Sequence, residues 1–243
     1  MEDRHWPASD LVIGVISDAH GNGPAFEKAL DVLRNEGARQ VHFLGDAVGY
    51  IPSLSVMDVI CTPPVAVYCL RGNHEQMLLQ RDYLQSNDEV YQLEVLDSVM
   101  TPNHRAQMEA WPVERYRMFG NVGVQFMHGS PIDPLHGYVY PDTDLSQFDT
   151  RAEYVFMGNT HRPFMRSLNG VTFVNVGSCG LPRDHGLLGS AVAFNLSRLE
   201  VRILRFDIRA ETQRAFEQAL LPVHAEVRKL MDRSTNFPTG DLR

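Results

Sequence analysis

Several short stretches of this chain place acidic, amide or imidazole side chains directly after runs of apolar residues. Asp18 and His20 follow the run VIGVIS, and Asp46 follows VHFLG. Side chains two residues apart on an extended segment point to the same side, so Asp18 and His20 can bind one ion together. Taken singly, either motif is equally typical of a capped turn or of a helix start.

Three later segments end in the same way. Asn73 and His74 begin a helical pattern after a short apolar run, and His128 and His161 each follow another one. For Asn73 the structural alternative is a helix N-cap, with Glu75 supporting the first turn. Sites in open sheets lie at the carboxyl ends of strands, so we expect these side chains to converge. The predicted ligands are Asp18, His20, Asp46, Asn73, His128 and His161.

This donor set contains oxygen and nitrogen atoms but no thiolate. It therefore suits Mn²⁺, Mg²⁺, Fe or Zn²⁺. The three cysteines, Cys61, Cys69 and Cys179, form no CxxC pair. We expect them to be reduced and buried as small apolar side chains, with Cys179 a packed residue and not a nucleophile.

The elements that must position these side chains can be predicted from the apolar runs, which have the length of strands. Helical spacing follows Pro24 and recurs over Ser53–Cys61 and His74–Leu84. Early alternation of strand and helix predicts parallel pairing, and later strands without long helices predict antiparallel hairpins. We predict an α/β (α+β) fold, a four-layer αββα sandwich of two mixed β-sheets flanked by helices. The predicted strands are Leu11–Ser17, Val41–Leu44, Val65–Leu70, Val122–His128, Tyr154–Met157, Val171–Val176, Ser190–Leu196 and Val201–Asp207.

The length of 243 residues and the 44% hydrophobic content predict a single domain over residues 1–243. Within it we expect a flexible N-terminus over residues 1–10 and a C-terminal helix over residues 211–233. The apolar stripe of that helix is expected to pack on the domain, with a partner helix as the alternative. The segment Pro131–Thr150 has no clear periodicity and is expected to be a functional surface loop.

Composition limits the partners. The net charge of −8 argues against binding to nucleic acid, which needs a basic surface. A small phosphorylated substrate is compatible with that charge, because a bound metal reverses the local sign. No run approaches the roughly 18 apolar residues of a membrane span, and the polar start MEDRHWPASD lacks a signal-peptide core. We therefore expect a cytoplasmic protein without membrane contact, either monomeric or dimeric.

Five motifs resemble, in order and spacing, those of the calcineurin-like metallophosphoesterases, from about Ile13 to Leu196. They are Asp18-Ala19-His20-Gly21-Asn22, Gly45-Asp46, Gly72-Asn73-His74-Glu75, His128-Gly129 and Thr160-His161. The stretches LGDAVGYIP and NVGSCGLPRD resemble a small bacterial class of that family. The family fold is the two-sheet sandwich with outer helices that the strand pattern also suggests.

The resemblance implies a site for two divalent metal ions, with Mn²⁺ favoured. The residues it implies are Asp18, His20 and His161 for the first ion, Asp46 as the bridge, and Asn73 and His128 for the second ion. It also implies hydrolysis of a phosphomonoester or phosphodiester by a hydroxide that the two metals activate. His74 matches the family's histidine near the leaving group, so we expect it to be a general acid, with transition-state stabilisation as the alternative role.

One departure from the family pattern concerns the second metal. The family commonly has Gly-His-x-His where this chain has Gly158-Asn159-Thr160-His161. Asn159 can offer an amide oxygen but no imidazole nitrogen, so we expect it beside a second metal that is bound more weakly or is a harder ion. His185 is an alternative source of the missing donor.

Two further positions bear on the substrate. Arg183 is a candidate phosphate ligand, because guanidinium matches phosphate bidentately, with an ion pair to Asp184 or to another acid as the alternative. Gly49-Tyr50 stands where protein Ser/Thr phosphatases of the family have Asp-Arg, which disfavours that activity. Side chains of the Pro131–Thr150 loop can line the leaving-group side, namely those of His136, Tyr138 and Tyr140.

The leading hypothesis is thus a metal-dependent phosphoesterase acting on a small molecule. A protein phosphatase or a dinucleoside polyphosphate hydrolase is an alternative within the same class. From a different class, a metal-binding scaffold or interaction protein of the same fold is favoured by Asn159 alone.

Overall fold

The computed structural model describes residues 10–85 and 88–231, which form two five-stranded β-sheets with the orders β10-β9-β1-β2-β3 and β4-β5-β6-β8-β7. The strands are β1 (Val12–Ile16), β2 (Ala38–Phe43), β3 (Ala66–Cys69), β4 (Glu114–Phe119), β5 (Val122–Met127), β6 (Tyr154–Met157), β7 (Phe164–Leu168), β8 (Val171–Asn175), β9 (Leu188–Asn195) and β10 (Glu200–Asp207).

The helices flank these sheets. They are α1 (Gly23–Asn35), α2 (Ser55–Cys61), α3 (Asn73–Gln80), α4 (Asp88–Tyr91), α5 (Leu93–Val99), α6 (Pro102–Ala110), α7 (Arg209–Glu217) and α8 (Ala225–Met231), with short 3₁₀ turns at Asp82–Gln85 and Leu145–Gln147.

Both sheets are mixed. In the first sheet, β1, β2 and β3 run parallel, and β9 and β10 add antiparallel pairs. In the second sheet, β5, β6 and β8 run parallel, and the edge strands β4 and β7 are antiparallel to their neighbours. This architecture confirms the predicted sandwich of two mixed sheets with outer helices.

The core explains why β1 is apolar throughout. Its residues Ile13 and Val15 pack with Phe126 and Phe156 of the second sheet, and Val12 and Ile16 belong to the cluster under the helices. A strand buried on both faces shows no polar alternation. Helix α1 begins at an Asn22 cap whose side chain accepts from Ala25 N at 3.2 Å. The apolar residues at helical spacing after Pro24 are all buried, namely Phe26, Ala29, Leu30 and Leu33.

Some elements differ from the prediction. The edge strands β4 and β7 were not predicted, because their exposed polar positions weaken the apolar signal. The helix predicted over His74–Leu84 ends at Gln80, where Arg81 adopts a left-handed conformation with φ 58°. Helices α4, α5 and α6 were also missed. Cys69 and Cys179 are buried free thiols, but Cys61 is exposed at the end of α2, so its expected burial is wrong.

The single helix predicted over residues 211–233 is also wrong for the described residues. The chain forms α7 and α8 with a non-helical segment between them, because Pro222 lacks the N–H that a continuous helix needs. Val223 and Val227 are buried in the core cluster under the helices, which agrees with the expected packing of the apolar stripe on the domain. Residues 232–233 of this prediction, and residues 1–9 of the predicted N-terminal segment, lie outside the described residues.

Among the described helices, none combines the length and the apolar character needed to cross a bilayer.

Candidate metal centre

The predicted ligands lie where strands end. Asp18 and His20 follow β1, Asp46 follows β2, and His128 and His161 follow the parallel strands β5 and β6. Asn73 and His74 begin α3, four residues after β3 ends. The two sheets therefore deliver all seven side chains to one end of the sandwich.

The backbone of this region is unusual. Six of the ten non-glycine residues with positive φ in the described part of the chain belong to it, namely Asp18, His20, Asp46, Tyr50, Asn159 and His161. Left-handed backbone is costly outside glycine, although Asp, Asn and His tolerate it best, and such residues cluster at functional sites. All of these residues except Tyr50 lie within four residues of a strand end, so the left-handed backbone marks the turns that follow the strands.

Three buried groups of side chains can each hold a metal ion: Asp18, His20 and His161; His20, Asp46 and His74; and Asp18, Asp46 and His128. Within each group the candidate ligand atoms lie within 4.8 Å of one another. The groups overlap, because Asp18, His20 and Asp46 each belong to two of them. The Nε2 atom of His161 lies 3.2 Å from Asp18 Oδ1, and the Nε2 atom of His128 lies 3.4 Å from Asp46 Oδ2.

The orientation of the imidazoles fits cation binding. Nδ1 of His20 lies 3.1 Å from the carbonyl oxygen of Val48, and Nδ1 of His128 lies 3.2 Å from that of Leu44. His161 Nδ1 also faces a backbone carbonyl. These contacts favour a proton on Nδ1, the arrangement that fixes metal-binding histidines. The unprotonated Nε2 atoms of His20 and His161 then face each other at 3.1 Å, which suits a shared cation.

Asn73 completes this arrangement. Its Oδ1 atom lies 2.9 Å from His128 Nε2, on the side of the ring that faces Asp46. An amide oxygen and an imidazole nitrogen beside a carboxylate are a suitable donor set for a divalent ion. The N-cap of α3 is Gly72 and Asn73 is the first helical residue, so the N-cap alternative for Asn73 is wrong, whereas Glu75 supports the first turn as expected.

The electrostatics of the cluster are dominated by its carboxylates. Burial opposes ionisation of Asp46, but His128 and His74 hold its pKa below the usual range. Burial likewise opposes protonation of His128, but the Asp46 carboxylate raises its pKa to about 9. Metal ligation requires a neutral imidazole, so a cation bound here competes with the proton on His128.

Glu75 holds the Asp46 loop in place, a role that sequence analysis missed. Its carboxylate accepts from the backbone N–H groups of Asp46, Ala47 and Gly72 at 2.8, 2.7 and 2.8 Å. Burial, followed by the Asp46 charge, raises the pKa of Glu75 to about 7. The Gly-Asn-His-Glu motif was the available signal, but it does not show which backbone amides the carboxylate meets.

Two glycines allow the close approach of these loops. A Cβ atom on Gly72 would lie 2.1 Å from Asp46 Oδ1, and one on Gly49, which has φ +91°, would lie 2.2 Å from His74 Nδ1. Any side chain at either position would displace Asp46 or His74.

His74 lies in an aromatic setting. Its ring centroid is 5.0 Å from that of Tyr50 and 4.9 Å from that of Tyr91, two residues that sequence analysis did not assign to the site. Its backbone N–H donates to Asp46 Oδ1 at 3.0 Å. Burial lowers the pKa of His74 to about 3, so its imidazole is neutral at pH 7. A neutral imidazole can still donate its N–H to a developing negative charge.

Asn159 lies beside the cluster and also holds a loop. Its backbone N–H donates to Asp18 Oδ2 at 3.1 Å. Its side-chain amide donates to the carbonyl oxygens of His136 and Gly137 at 3.2 and 3.0 Å. Both amide hydrogens therefore face the Pro131–Thr150 loop, and only Oδ1 remains as a donor atom for a metal.

Arg183 reaches the same region. Its Nη2 atom donates to the Tyr50 hydroxyl at 2.7 Å, and its backbone N–H donates to the carbonyl of His161 at 3.2 Å. Both carboxylate oxygens of Asp184 accept from Arg205, at 2.6 and 3.1 Å. The geometry thus directs the guanidinium of Arg183 toward Tyr50.

Two other candidate side chains lie apart from the ligand groups. His185 joins none of the groups found among residues 10–85 and 88–231. Cys179 is fully buried, and burial raises the pKa of its thiol, which fits a packed residue.

Comparison with known proteins agrees with this geometry. The family model described as "Calcineurin-like phosphoesterase superfamily domain" matches residues 11–197. A protein of Methanothermobacter thermautotrophicus named "Probable metallophosphoesterase" is 26% identical over 200 residues, covering 80% of this chain and 92% of that protein.

Two solved structures share the fold. A hypothetical protein from Pyrococcus horikoshii superposes with a TM-score of 0.76 at 19% identity, covering 91% of this chain and 97% of that one. A metallophosphoesterase from Sphaerobacter thermophilus superposes with a TM-score of 0.72 at 24% identity, covering 93% and 100%. With the family model spanning most of the sequence, the chain belongs to the calcineurin-like phosphoesterase superfamily.

Proposed function

We propose that this protein is a metal-dependent hydrolase of phosphomonoesters or phosphodiesters that uses two divalent ions, with Mn²⁺ preferred. The observation that carries the proposal is the overlap of the three buried ligand groups. Two adjacent ions that share a carboxylate need ligand sets with common members, and Asp46 is such a member. An isolated structural ion site would need only one closed set.

The ligand assignment follows the contacts. Asp18, His20 and His161 would hold the first ion, and Asn73 and His128 the second, with Asp46 between them. Bound divalent ions would supply an activated water and neutralise charge on the phosphoryl group.

The remaining side chains act on the substrate. The neutral imidazole of His74 donates its N–H toward the leaving oxygen, which favours transition-state stabilisation. The Arg183 guanidinium, held by the Tyr50 hydroxyl, binds a non-bridging phosphoryl oxygen. Both roles position charge where it develops during transfer, which is the main requirement of phosphoryl chemistry.

The substrate is proposed to be a small phosphorylated molecule in the cytoplasm, without a nucleic-acid or membrane partner. The net charge of −8 disfavours polyanions, and Arg183 supplies a local cation. Tyr50 packs against His20 and His74, at the position where the protein phosphatases of the family have arginine. That difference favours a small-molecule substrate over a phosphoprotein.

The test is hydrolysis of p-nitrophenyl phosphate and bis-p-nitrophenyl phosphate by metal-free protein, with and without Mn²⁺. The proposal predicts turnover that requires the metal, is removed by a chelator and is lost in Asp46→Asn. Arg205→Lys, which changes the ion pair with Asp184, serves as a control outside the ligand groups that retains activity. Absence of turnover with Mn²⁺, Mg²⁺, Fe²⁺ and Zn²⁺ would refute the proposal and favour the non-catalytic metal-binding alternative, for which Asn159 is the one motivating feature.

A further inference from the structure

A pair of tyrosine rings lies exposed on the loop that Asn159 holds. Tyr138 is 52% exposed and Tyr140 is 40% exposed. Their rings are nearly parallel, with an interplanar angle of 7° and centroids 6.1 Å apart. Large rings left in water forgo the burial that normally stabilises them, so such a pair beside a candidate site suggests a binding surface.

Buried anchors fix the backbone on both sides of Tyr138. On one side, Asn159 donates to the carbonyls of His136 and Gly137. On the other side, Asn175 Nδ2 lies 3.4 Å from the carbonyl oxygen of Val139. The Val139 side chain is only 1% exposed and lies in the same buried core cluster as Met127, Val155 and Phe173. Tyr138 is therefore an exposed ring on a fixed backbone.

Charged side chains of the candidate site influence the pKa of the Tyr138 phenol. Burial raises the pKa of the Tyr138 phenol, Arg183 opposes that rise and Asp46 adds to it. Tyr138 directly follows Gly137, whose carbonyl accepts from Asn159, and the backbone N–H of Asn159 donates to Asp18 Oδ2 at 3.1 Å, so the backbone that carries this ring borders the ligand cluster.

We propose that Tyr138 is a stacking platform for a planar aromatic group, such as a nucleobase, carried by the phosphoester. The proposal rests on the phosphate position given under the proposed function and adds the substrate class. Every base has a π-face, and stacking on an aromatic side chain is worth about 1–3 kcal/mol per base. A tyrosine on a fixed backbone loses little entropy when it binds such a ring.

A purely structural role for the tyrosine pair makes a different prediction. In that case truncation of Tyr138 would change stability and leave ligand preference unaltered. A binding measurement that compares two ligands with the same phosphate therefore distinguishes a stacking role from a purely structural role.

The test is calorimetric titration of the Mn²⁺-loaded protein with adenosine 5′-monophosphate and with ribose 5-phosphate, which differ by the base. The platform predicts that the nucleotide binds at least about tenfold more tightly, equivalent to about 1.4 kcal/mol. Tyr138→Phe keeps that ratio, whereas Tyr138→Ala brings it close to one. Tyr138→Leu, which keeps apolar volume without a ring, guards against a folding defect and also brings the ratio close to one.

Ile132→Ala is the matched control, because Ile132 is an exposed apolar side chain of the same loop, and it retains the wild-type ratio. Equal affinities of the wild type for the two ligands would overturn the platform but leave the proposed phosphate position intact. The same conclusion would follow if Tyr138→Ala and Tyr138→Leu both kept the wild-type affinity ratio. Failure of both ligands to bind would overturn the phosphate position and the platform with it. Base discrimination without any hydrolysis would support the platform and count against the proposed hydrolase.

Discussion

The side-chain nitrogen of Asn159 lies 3.0 Å from the carbonyl oxygen of Gly137, and this bond ties a candidate metal-site residue to a surface loop. In the family pattern this position is commonly a histidine that binds the second metal. Here the amide hydrogens hold the loop, and only the oxygen is left for a cation. The asparagine that stands here in place of a histidine therefore both changes the atom available to a metal and anchors the loop.

Asn159→His is expected to tighten the weaker of two metal-binding steps. One ring nitrogen of histidine can keep a bond to a loop carbonyl, and the other adds a donor beside Asp18. We expect the two Mn²⁺ ions to bind the wild type with unequal dissociation constants. In the variant the ratio of these two constants should decrease about tenfold, which corresponds to about 1.4 kcal/mol. The measurement is a calorimetric titration with Mn²⁺ of protein from which a chelator has removed all metal.

The matched control for that titration is Asn169→His, which changes an exposed turn asparagine that also has positive φ. It is expected to leave both steps unchanged. Two equal and tight steps in the wild type would show that another group supplies the missing donor.

Tyr50→Phe is expected to weaken phosphate binding through Arg183. The change removes only the hydroxyl that accepts from the guanidinium at 2.7 Å. A hydrogen bond of this kind contributes about 0.5–1.5 kcal/mol, so KM should rise by about 2- to 13-fold with a smaller change in kcat. Steady-state kinetics on a nitrophenyl ester measure both parameters.

Arg183→Ala provides the coupling test for this bond. If Tyr50 acts by holding Arg183, adding Tyr50→Phe to Arg183→Ala should cost little more. Tyr154→Phe, which removes a hydroxyl bonded to the carbonyl of Leu199, should have no effect on KM. Fully additive effects of the Tyr50 and Arg183 changes would contradict the holding role.

His74→Gln is expected to slow turnover by about 10²–10⁴-fold on an alkyl phosphoester. The loss should be smaller on a nitrophenyl ester, whose leaving oxygen needs little stabilisation. His104→Gln is the control, because His104 pairs with Asp58 between α6 and α2. Equal losses on the two esters would show that His74 acts on metal binding instead of on the leaving group, as its place in a ligand group with His20 and Asp46 also allows.

His42 makes the fold sensitive to acid. Its ring stacks on Phe126 with centroids 4.0 Å apart, and its Nε2 has no hydrogen-bond partner. Burial, followed by the charges of Arg115 and Arg117, lowers its pKa to about 3. The unfolded chain therefore takes up this proton first as pH falls through about 6.5, which lowers the free energy of unfolding.

When the pH falls from 8 to 5, His42 should lower the free energy of unfolding by about 2 kcal/mol. His42→Phe keeps the stacking and removes the titration, so its loss of stability over that interval should be smaller by this amount. Urea unfolding at both pH values measures the free energy of unfolding of each protein. Only the change between the two pH values is compared, so a difference in packing between the wild type and His42→Phe cancels. An identical pH dependence in both proteins would refute the role of His42.

Sequence patterns predicted the parts of this molecule that local chemistry determines. Strands buried on both faces, such as β1, have uninterrupted apolar runs, and the polar residues directly after them were predicted as ligands. The edge strands β3 and β10 were predicted, but β4 was missed because its sequence ERYRMF has three charged residues and no buried position. The predicted C-terminal helix ignored Pro222, which interrupts it.

The missed parts of the site depend on contacts between distant segments. Tyr91 packs on His74 from α4, and Arg183 meets Tyr50 across 133 positions of the sequence. The loop-holding role of Asn159 depends on carbonyls of residues 136 and 137, which no side-chain pattern reveals. A motif identifies the residue types of a site, whereas these partners follow only from the folded geometry.

The most direct test of the central claim is an anomalous difference map from crystals soaked in Mn²⁺. The account predicts two peaks that flank the Asp46 carboxylate. The stronger peak should lie among Asp18, His20 and His161, and the weaker one beside Asn73 and His128. A map without a peak in contact with Asp46 would contradict the claim that these side chains form a metal centre.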